Sequence, residues 1–366
     1  MCRFLVYKGS SPILLSSLIL KPSHSILHQS FDCRLRLDPR RPHNGDGFGI
    51  GHYTENPDLG PEPCVFKSTI PAWNCLNLER LASKTQSSLI FAHVRASTEG
   101  NLSEQNCHPF WCGAIMWMHN GGIGAWNKIK KALAMGLSDR WFNFVKGGTD
   151  SEWAFAIFLD CLEKKGLDPE QVMPPGGLGH DVLRGAMLET IERINALIAA
   201  VPSRDLGNED RRSLLNFAVT DGHSVICTRY VNSKVDAPAS LFWSSGTCWA
   251  ESEDEKNGVK DYKVERRDKG ADVVLVASEP LTFERDSWVT VPVNSMLTIH
   301  KQTVMIHPIL DEFYTPNSAN RSSTFAQTKG QTVTDSKNDI ITTELKENLS
   351  ILDLNIPNGR KILQYS

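Results

Sequence analysis

The sequence predicts an α+β fold in which antiparallel sheets are layered with a few long helices. Three observations carry this. Runs rich in β-branched and aromatic residues recur from Arg3–Tyr7 to Val304–His307, separated by turn residues. Some follow one another across tight turns, as Leu214–Thr220 and Ser224–Tyr230 do across Asp221-Gly222, which is antiparallel hairpin chemistry. Two long helical patterns, after Asp150 and over Asp181–Val201, fall between the strands and call for helices packed on sheets.

Taken in order, the chain opens with Arg3–Tyr7 as a short strand. Ile13–Leu20, bounded by Pro12 and Pro22, is too short to span a bilayer and is not followed by Ala-x-Ala-like cleavage chemistry. It reads as a buried strand or turn. Pro22–Ser30 has no clear period, so His24 and His28 read as solvated loop histidines. In Asn44–Tyr53 glycines alternate with larger residues, the spacing of a strand closely approached by another backbone or a ligand. No helix opening follows it, so dinucleotide binding is not supported. Trp73–Ser83 reads as a short helix, and Leu89–Arg95 and Ala114–His119 as strands, the second stopping at Asn120-Gly121-Gly122. Trp126–Met135 has helical spacing.

Thr149 and Glu152 match a capping box that opens the helix through Leu162. Asp181–Val201 places Leu183, Met187, Ile191, Ile194 and Ile198 on one face. Further strands are expected at Leu241–Trp243, Val273–Ala277 and Trp288–Pro292, with a last hairpin over Leu297–His300 and Val304–His307. Glu251–Lys256 reads as a solvated loop. Residues 2–315 are taken as one domain. The remainder, 316–366, turns to Ser, Thr, Asn, Gln and Lys and reads as a polar, flexible tail.

The chain has 366 residues, 40% hydrophobic and 22% charged, which suits a large globular core. Its formal charge of -3 gives no electrostatic case for nucleic acid or an anionic membrane as partner. The nine cysteines are odd in number and contain no Cys-x-x-Cys pair, which argues against a disulfide framework and a structural zinc site. A reducing, cytoplasmic compartment fits. His93, His108 and His119 with Asp150 lack metal-binding spacing, so no metal and no cofactor is expected.

Cys2 directly follows Met1. Removal of methionine before a small residue would put a thiol and a free α-amine on one residue, a nucleophile with its own base. Such groups ordinarily titrate at about 8.5 and about 7.7–8.0. Read alone, Cys2 is also a small buried hydrophobe at a strand start. Three other features sit at strand ends or helix starts: Arg95, Asn120-Gly121 and Asp150. Together they suit acyl transfer from a γ-glutamyl amide. An Asn side-chain amide and the Gly121 N–H can hold an oxyanion. A bidentate arginine suits the α-carboxylate, and a carboxylate suits the α-ammonium.

Cys2-Arg3-Phe4, His93–Thr98, His119-Asn120-Gly121 and Thr149–Glu152 together resemble the class II glutamine amidotransferases. Asn44–Gly49 and Ala277-Ser278-Glu279-Pro280-Leu281 narrow the resemblance to the stand-alone branch that lacks a fused synthase domain. The likeness runs from Cys2 to about His307. It implies a four-layer αββα N-terminal-nucleophile hydrolase sandwich. It also implies Cys2 as nucleophile, Asn120 and Gly121 as oxyanion hole, and Arg95, Thr98, Asp150 and His119 as the substrate-binding set, His119 as the strand histidine that orients the turn. Glu99 departs from the histidine that fused members often carry there. The substrate implied is a γ-glutamyl compound, glutathione first and glutamine second, with a metallopeptidase-type subunit as partner in a cytosolic glutathione-degradation complex. Alternatives are a glutaminase or amidotransferase subunit, a γ-glutamyl hydrolase of ergothioneine-type synthesis, and a non-catalytic scaffold subunit.

Overall fold

The computed structural model describes residues 2–35, 43–97, 101–171, 174–256, 259–265, 271–282 and 287–316. Thr98, Glu99 and the polar tail beyond residue 316 lie outside the described residues. The first half of the chain forms β1 (Arg3–Leu14), α1 (Ser16–Ile19), α2 (Ile26–Gln29), β2 (Phe48–His52), β3 (Cys64–Ser68), α3 (Leu76–Ala82), β4 (Gln86–Val94), β5 (Phe110–Cys112) and β6 (Ile115–Gly122). Helices α4 (Trp126–Met135), α5 (Asp139–Phe144), α6 (Asp150–Lys164), α7 (His180–Ala199) and α8 (Ser203–Leu206) follow. The chain then returns to strands with β7 (Leu214–Thr220), β8 (Ser224–Arg229), β9 (Phe242–Gly246), β10 (Cys248–Lys256), β11 (Val259–Glu265), β12 (Val273–Ala277), β13 (Val289–Thr290), β14 (Ser295–His300) and β15 (Thr303–Pro308).

Two main sheets result. One has seven strands in the order β13-β9-β12-β1-β4-β2-β3, the other six in the order β15-β14-β8-β7-β6-β5. The strand pairings are antiparallel, and β10 and β11 form a separate ribbon. Side-chain alternation sorts the core into three layers. On β1, Phe4 and Val6 enter a cluster with Met116, Met118, Ala218 and Leu297 of the second sheet. Leu5 and Tyr7 point the other way, into a cluster with Leu18, Ile26 and Leu78 of α1, α2 and α3. On β6, Ile115 and Trp117 pack on α6 and α7 instead. Helices, sheet, sheet and helices thus stack in that order, the αββα arrangement.

The predicted face of α7 is buried throughout, at Leu183, Met187, Ile191, Ile194 and Ile198. The close approach expected of the Asn44–Tyr53 glycines is met at Gly49, where a Cβ would stand 2.1 Å from the His108 carbonyl oxygen. Several expectations need correction. Strand β1 runs on to Leu14, and the rest of the Ile13–Leu20 run is a short helix rather than a strand, because Leu15 and Leu18 turn under the sheet. His24 is not solvated: it is buried, with Nδ1 2.8 Å from the Pro280 carbonyl oxygen. Glu251–Lys256 belongs to β10, where register with β11 supplies backbone partners that no local pattern encodes. Strand β6 does not stop at His119. Asn120, Gly121 and Gly122 continue it opposite Asn216, Leu215 and Leu214 of β7.

Three histidines sit in these dry layers. His93 and His108 have ring centroids 4.1 Å apart, and His93 Nε2 reaches the His119 carbonyl oxygen at 3.2 Å. Burial pushes His93 down to about 3 and His108 well below its ordinary value; burial also lowers His119, with the Asp150 charge opposing. With folded pKa values below the unfolded value near 6.5, the unfolded chain binds protons that the folded chain refuses. Stability is therefore full above about pH 6.5 and falls below it, by up to about 1.4 kcal/mol per pH unit for each such group. Urea midpoints measured from pH 7 to 5 should show this slope, and His93→Gln should reduce it by about one proton. A flat profile across that range would contradict the burial of neutral imidazoles.

Candidate active site

The site lies where the starts and ends of the two sheets meet. Cys2 directly precedes β1, whose register places Arg3 opposite Val94 at the end of β4. The chain leaving β4 therefore passes the cysteine, and the Ala96 N–H donates to Cys2 Sγ at 3.4 Å. The thiol in turn donates to the Ala96 carbonyl oxygen at 3.7 Å.

Arg95 is the residue between that amide and the strand. It is buried at 3% exposure, and its Nη2 donates to Ser97 Oγ at 3.1 Å. Its backbone N–H donates to the Gly47 carbonyl at 2.8 Å, and the Asp46 carboxylate takes the Ser97 N–H at 2.7 Å. The Asn44–Gly49 segment thus braces the loop that carries Arg95. A buried guanidinium with a fixed fork is suited to a carboxylate ligand.

Asn120 and Gly121 come from the far end of β6. Strand β5 pairs with Ile115–Trp117, and among the described residues no strand pairs with that edge of β6 beyond this point. The His119 carbonyl oxygen faces this edge, where His93 Nε2 meets it. Backbone groups alternate in direction along an antiparallel strand, so the Gly121 N–H faces the same edge. Position 121 accepts no side chain: a Cβ would stand 1.7 Å from the Leu214 carbonyl oxygen. Asn120 Nδ2 donates to Ser278 Oγ at 3.1 Å, and that hydroxyl also takes the Phe4 N–H at 3.0 Å. One amide hydrogen of Asn120 is left for a ligand.

Asp150 is the first residue of α6, where a carboxylate is favoured by the helix dipole. Its Oδ2 takes the Ile123 N–H at 2.8 Å, one residue past β6. The predicted capping box is not formed. Thr149 occupies the cap position with no side-chain cap bond, and Glu152 turns back to the Lys146 and Gly147 amides at 3.0 and 2.6 Å. Those two loop donors outcompete the reciprocal bond. His119 has both ring nitrogens engaged, Nδ1 at 2.9 Å from Ser151 Oγ and Nε2 at 2.9 Å from the Leu214 carbonyl oxygen. A carbonyl only accepts, so Nε2 carries a proton, and the Ser151 hydroxyl stands between His119 Nδ1 and Asp150 Oδ1, the latter at 3.3 Å.

Cys2, Arg95, Asn120, Gly121 and Asp150 are thus linked by short chains of contacts from two sheets and a helix start. Thr98 falls outside the described residues. Three residues of this neighbourhood carry no role in the sequence reading: Asp46, Ser151 and Ser278. The signal for Ser278 was the polar Ser-Glu step closing an apolar strand, Val273–Ala277. Among the described residues no helix is long and apolar enough to cross a membrane.

The chain matches the family described as glutamine amidotransferases class-II over residues 21–195. It is 52% identical over 332 residues to the protein named probable glutamine amidotransferase DUG3 of Saccharomyces cerevisiae, with 90% of each chain covered. Over 127 residues it is 32% identical to the γ-glutamyl-hercynylcysteine sulfoxide hydrolase of Mycobacterium tuberculosis, covering 34% of this chain and 50% of that one. Among solved structures, a glutamine aminotransferase class-II domain protein from Silicibacter pomeroyi shares the fold, with a TM-score of 0.51 at 23% identity over 84% of this chain and 99% of that one. With a relative alike along nearly all of both chains, this chain belongs to the class II glutamine amidotransferases.

Proposed function

We propose that the chain is a cysteine-dependent hydrolase of γ-glutamyl amides, with glutathione as substrate and glutamate and Cys-Gly as products. The observation that carries this is the position of Cys2 Sγ against the Ala96 amide, one residue from the buried Arg95 and on the strand that Ser278 ties to Asn120. A relative whose name specifies a γ-glutamyl substrate supports the acyl group. The choice of glutathione rests on the stand-alone branch that the sequence resembles.

Removal of Met1 frees the α-amine of Cys2, which takes the thiol proton as general base. The thiolate attacks the δ-carbonyl of the γ-glutamyl group. The oxyanion is held by Asn120 Nδ2 and the Gly121 N–H. Arg95 holds the substrate α-carboxylate, a role in which the family resemblance also includes Thr98, and Asp150 holds the α-ammonium. His119 acts behind them, fixing the Ser151 hydroxyl and the end of β6. Collapse of the tetrahedral adduct breaks the C–N bond, and the terminal ammonium gives its proton to the leaving amine. Water then attacks the γ-glutamyl thioester, returns the thiol and releases glutamate. No cofactor takes part. A metallopeptidase-type subunit in the same cytoplasmic complex would consume the Cys-Gly released, and the polar tail from residue 316 is a candidate contact for it.

Cys2→Ala should abolish γ-glutamyl hydrolysis while leaving the thermal transition in place; undiminished turnover would sink the mechanism. A chain that retains any residue before Cys2 should be equally inactive, and intact mass of active protein should show Met1 missing. Arg95→Ala should lower kcat/KM for glutathione and glutamine alike by roughly 10- to 100-fold, the loss of a charged hydrogen-bonded grip. Steady-state kinetics on both substrates checks this, and loss confined to one of them would remove Arg95 from the shared glutamyl end.

A further inference from the structure

Behind the nucleophile lies a buried ionic group that the proposed mechanism does not use. Arg3 and Glu279 pair at 2.7 Å between Nε and Oε1, with side chains 0% and 1% exposed. Arg3 Nη1 turns forward and donates to the Cys2 carbonyl oxygen at 2.8 Å. Glu279 turns backward and gathers the segment that precedes the site. Its Oε1 accepts from Cys33 Sγ at 3.0 Å and from the Leu35 N–H at 3.0 Å, and its Oε2 accepts from the Arg34 N–H at 3.0 Å. His24 Nε2 stands 3.6 Å away. Burial alone raises the Glu279 carboxyl, but the Arg3 charge, the Cys33 thiol, His24 and the Leu35 amide outweigh it and hold it below its ordinary value.

The residue before Glu279 reaches the other half of the site. Ser278 Oγ takes the Phe4 N–H at 3.0 Å and the Asn120 Nδ2 hydrogen at 3.1 Å. The Ser278 backbone N–H donates to the Phe4 carbonyl oxygen at 3.0 Å, and its carbonyl accepts from Ser240 Oγ at 2.7 Å. One dipeptide thus grips the start of β1 from the backbone of Phe4 and the side chain of Arg3, and holds Asn120 with the same hydroxyl. Isolated buried charges are costly, and a pair of this kind is retained at a net cost unless its geometry does something.

We propose that Ser278 and Glu279 are the positioning residues of the reaction: Glu279 sets the nucleophile through Arg3, and Ser278 sets Asn120 at a fixed distance from it. This rests on the γ-glutamyl hydrolase reading above. Attack on a carbonyl tolerates little error, since a misplacement of about 1 Å costs roughly 100-fold. Neither residue touches substrate. Their loss lowers kcat and leaves the γ-glutamyl grip of Arg95 and Asp150 intact.

The test uses the full chain carrying Glu279→Gln or Ser278→Ala. Each should lower kcat for γ-glutamyl hydrolysis roughly 10- to 100-fold with KM within about twofold of wild type. A glutamine-like diazoketone separates placement from stability. In Glu279→Gln its maximal inactivation rate should fall while its half-saturating concentration holds, and iodoacetamide, which needs no orientation, should still label Cys2 at the wild-type rate. A merely structural role would lower the folded fraction and scale all three readings together, which overturns the proposal. If Glu279→Gln does not fold, Ser278→Ala alone decides: wild-type kcat in that variant overturns it. An unmodified chain that neither turns over γ-glutamyl amides nor takes up the diazoketone overturns the functional reading instead.

Discussion

From Arg3 to Gly9 strand β1 has no solvent face, and most of the architecture follows from that. It lies between β12 and β4, with Phe4 and Val6 buried in the inter-sheet layer and Leu5 and Tyr7 buried under the helices. Each of these side chains contributes about 1.5–3 kcal/mol by leaving water. A strand buried on both sides needs a sheet on each flank, a second sheet over one face and helices over the other. That requirement sets the four layers. It also pins the position of Cys2, because a register slip of one residue would exchange the two buried sets.

The second constraint is polar. A dry interior tolerates histidine, asparagine and paired charges only when their atoms are satisfied. The structure meets much of this by joining elements that are far apart in sequence, while Arg3 Nη2, His93 Nδ1, both His108 ring nitrogens and Asn120 Oδ1 have no hydrogen-bond partner among the described residues. His93 on β4 closes on the His119 carbonyl of the other sheet, His119 closes on Ser151 of α6, and Ser278 closes on Phe4 and Asn120. These bonds run between layers where apolar contacts alone would leave sliding freedom. Packing sets the distance between the sheets, and the polar bonds set their phase.

The order of strands and long helices was legible in the sequence because it rests on local signals. Runs of apolar, β-branched and aromatic residues marked β1, β4, β7, β8 and β12, and helical spacing marked α4 and α7. What failed was decided by partners remote in sequence. Asn120-Gly121-Gly122 reads as a turn by composition, yet β7 pairs with it and keeps it extended. Glu251–Lys256 reads as solvated until β11 lies beside it. His24 reads as a loop residue until Pro280 and Glu279 close over it. The capping box is a local rule overruled locally, by two loop amides that Glu152 reaches more readily than the cap. The candidate site residues stood out as types at element ends. The residues that hold them, Arg3, Ser278 and Glu279, were legible only as a motif, because pairing across 276 positions leaves no local trace.

The shortness of β5 shapes the edge of the second sheet. Its three residues pair with Ile115–Trp117 and stop, and among the described residues no strand pairs with that edge of β6 from His119 onward. An open edge offers alternating carbonyls and amides to whatever approaches. Here the carbonyl of His119 is taken by His93, so the next group on that edge, the Gly121 N–H, is presented without a competing acceptor beside it. Four more residues on β5 in the same register would set Asn106 opposite Gly121, pair with this amide and remove the proposed oxyanion donor. The missing Cβ at position 121 and the missing length of β5 therefore serve one end: a backbone donor held rigid by β7 on one side and left open on the other.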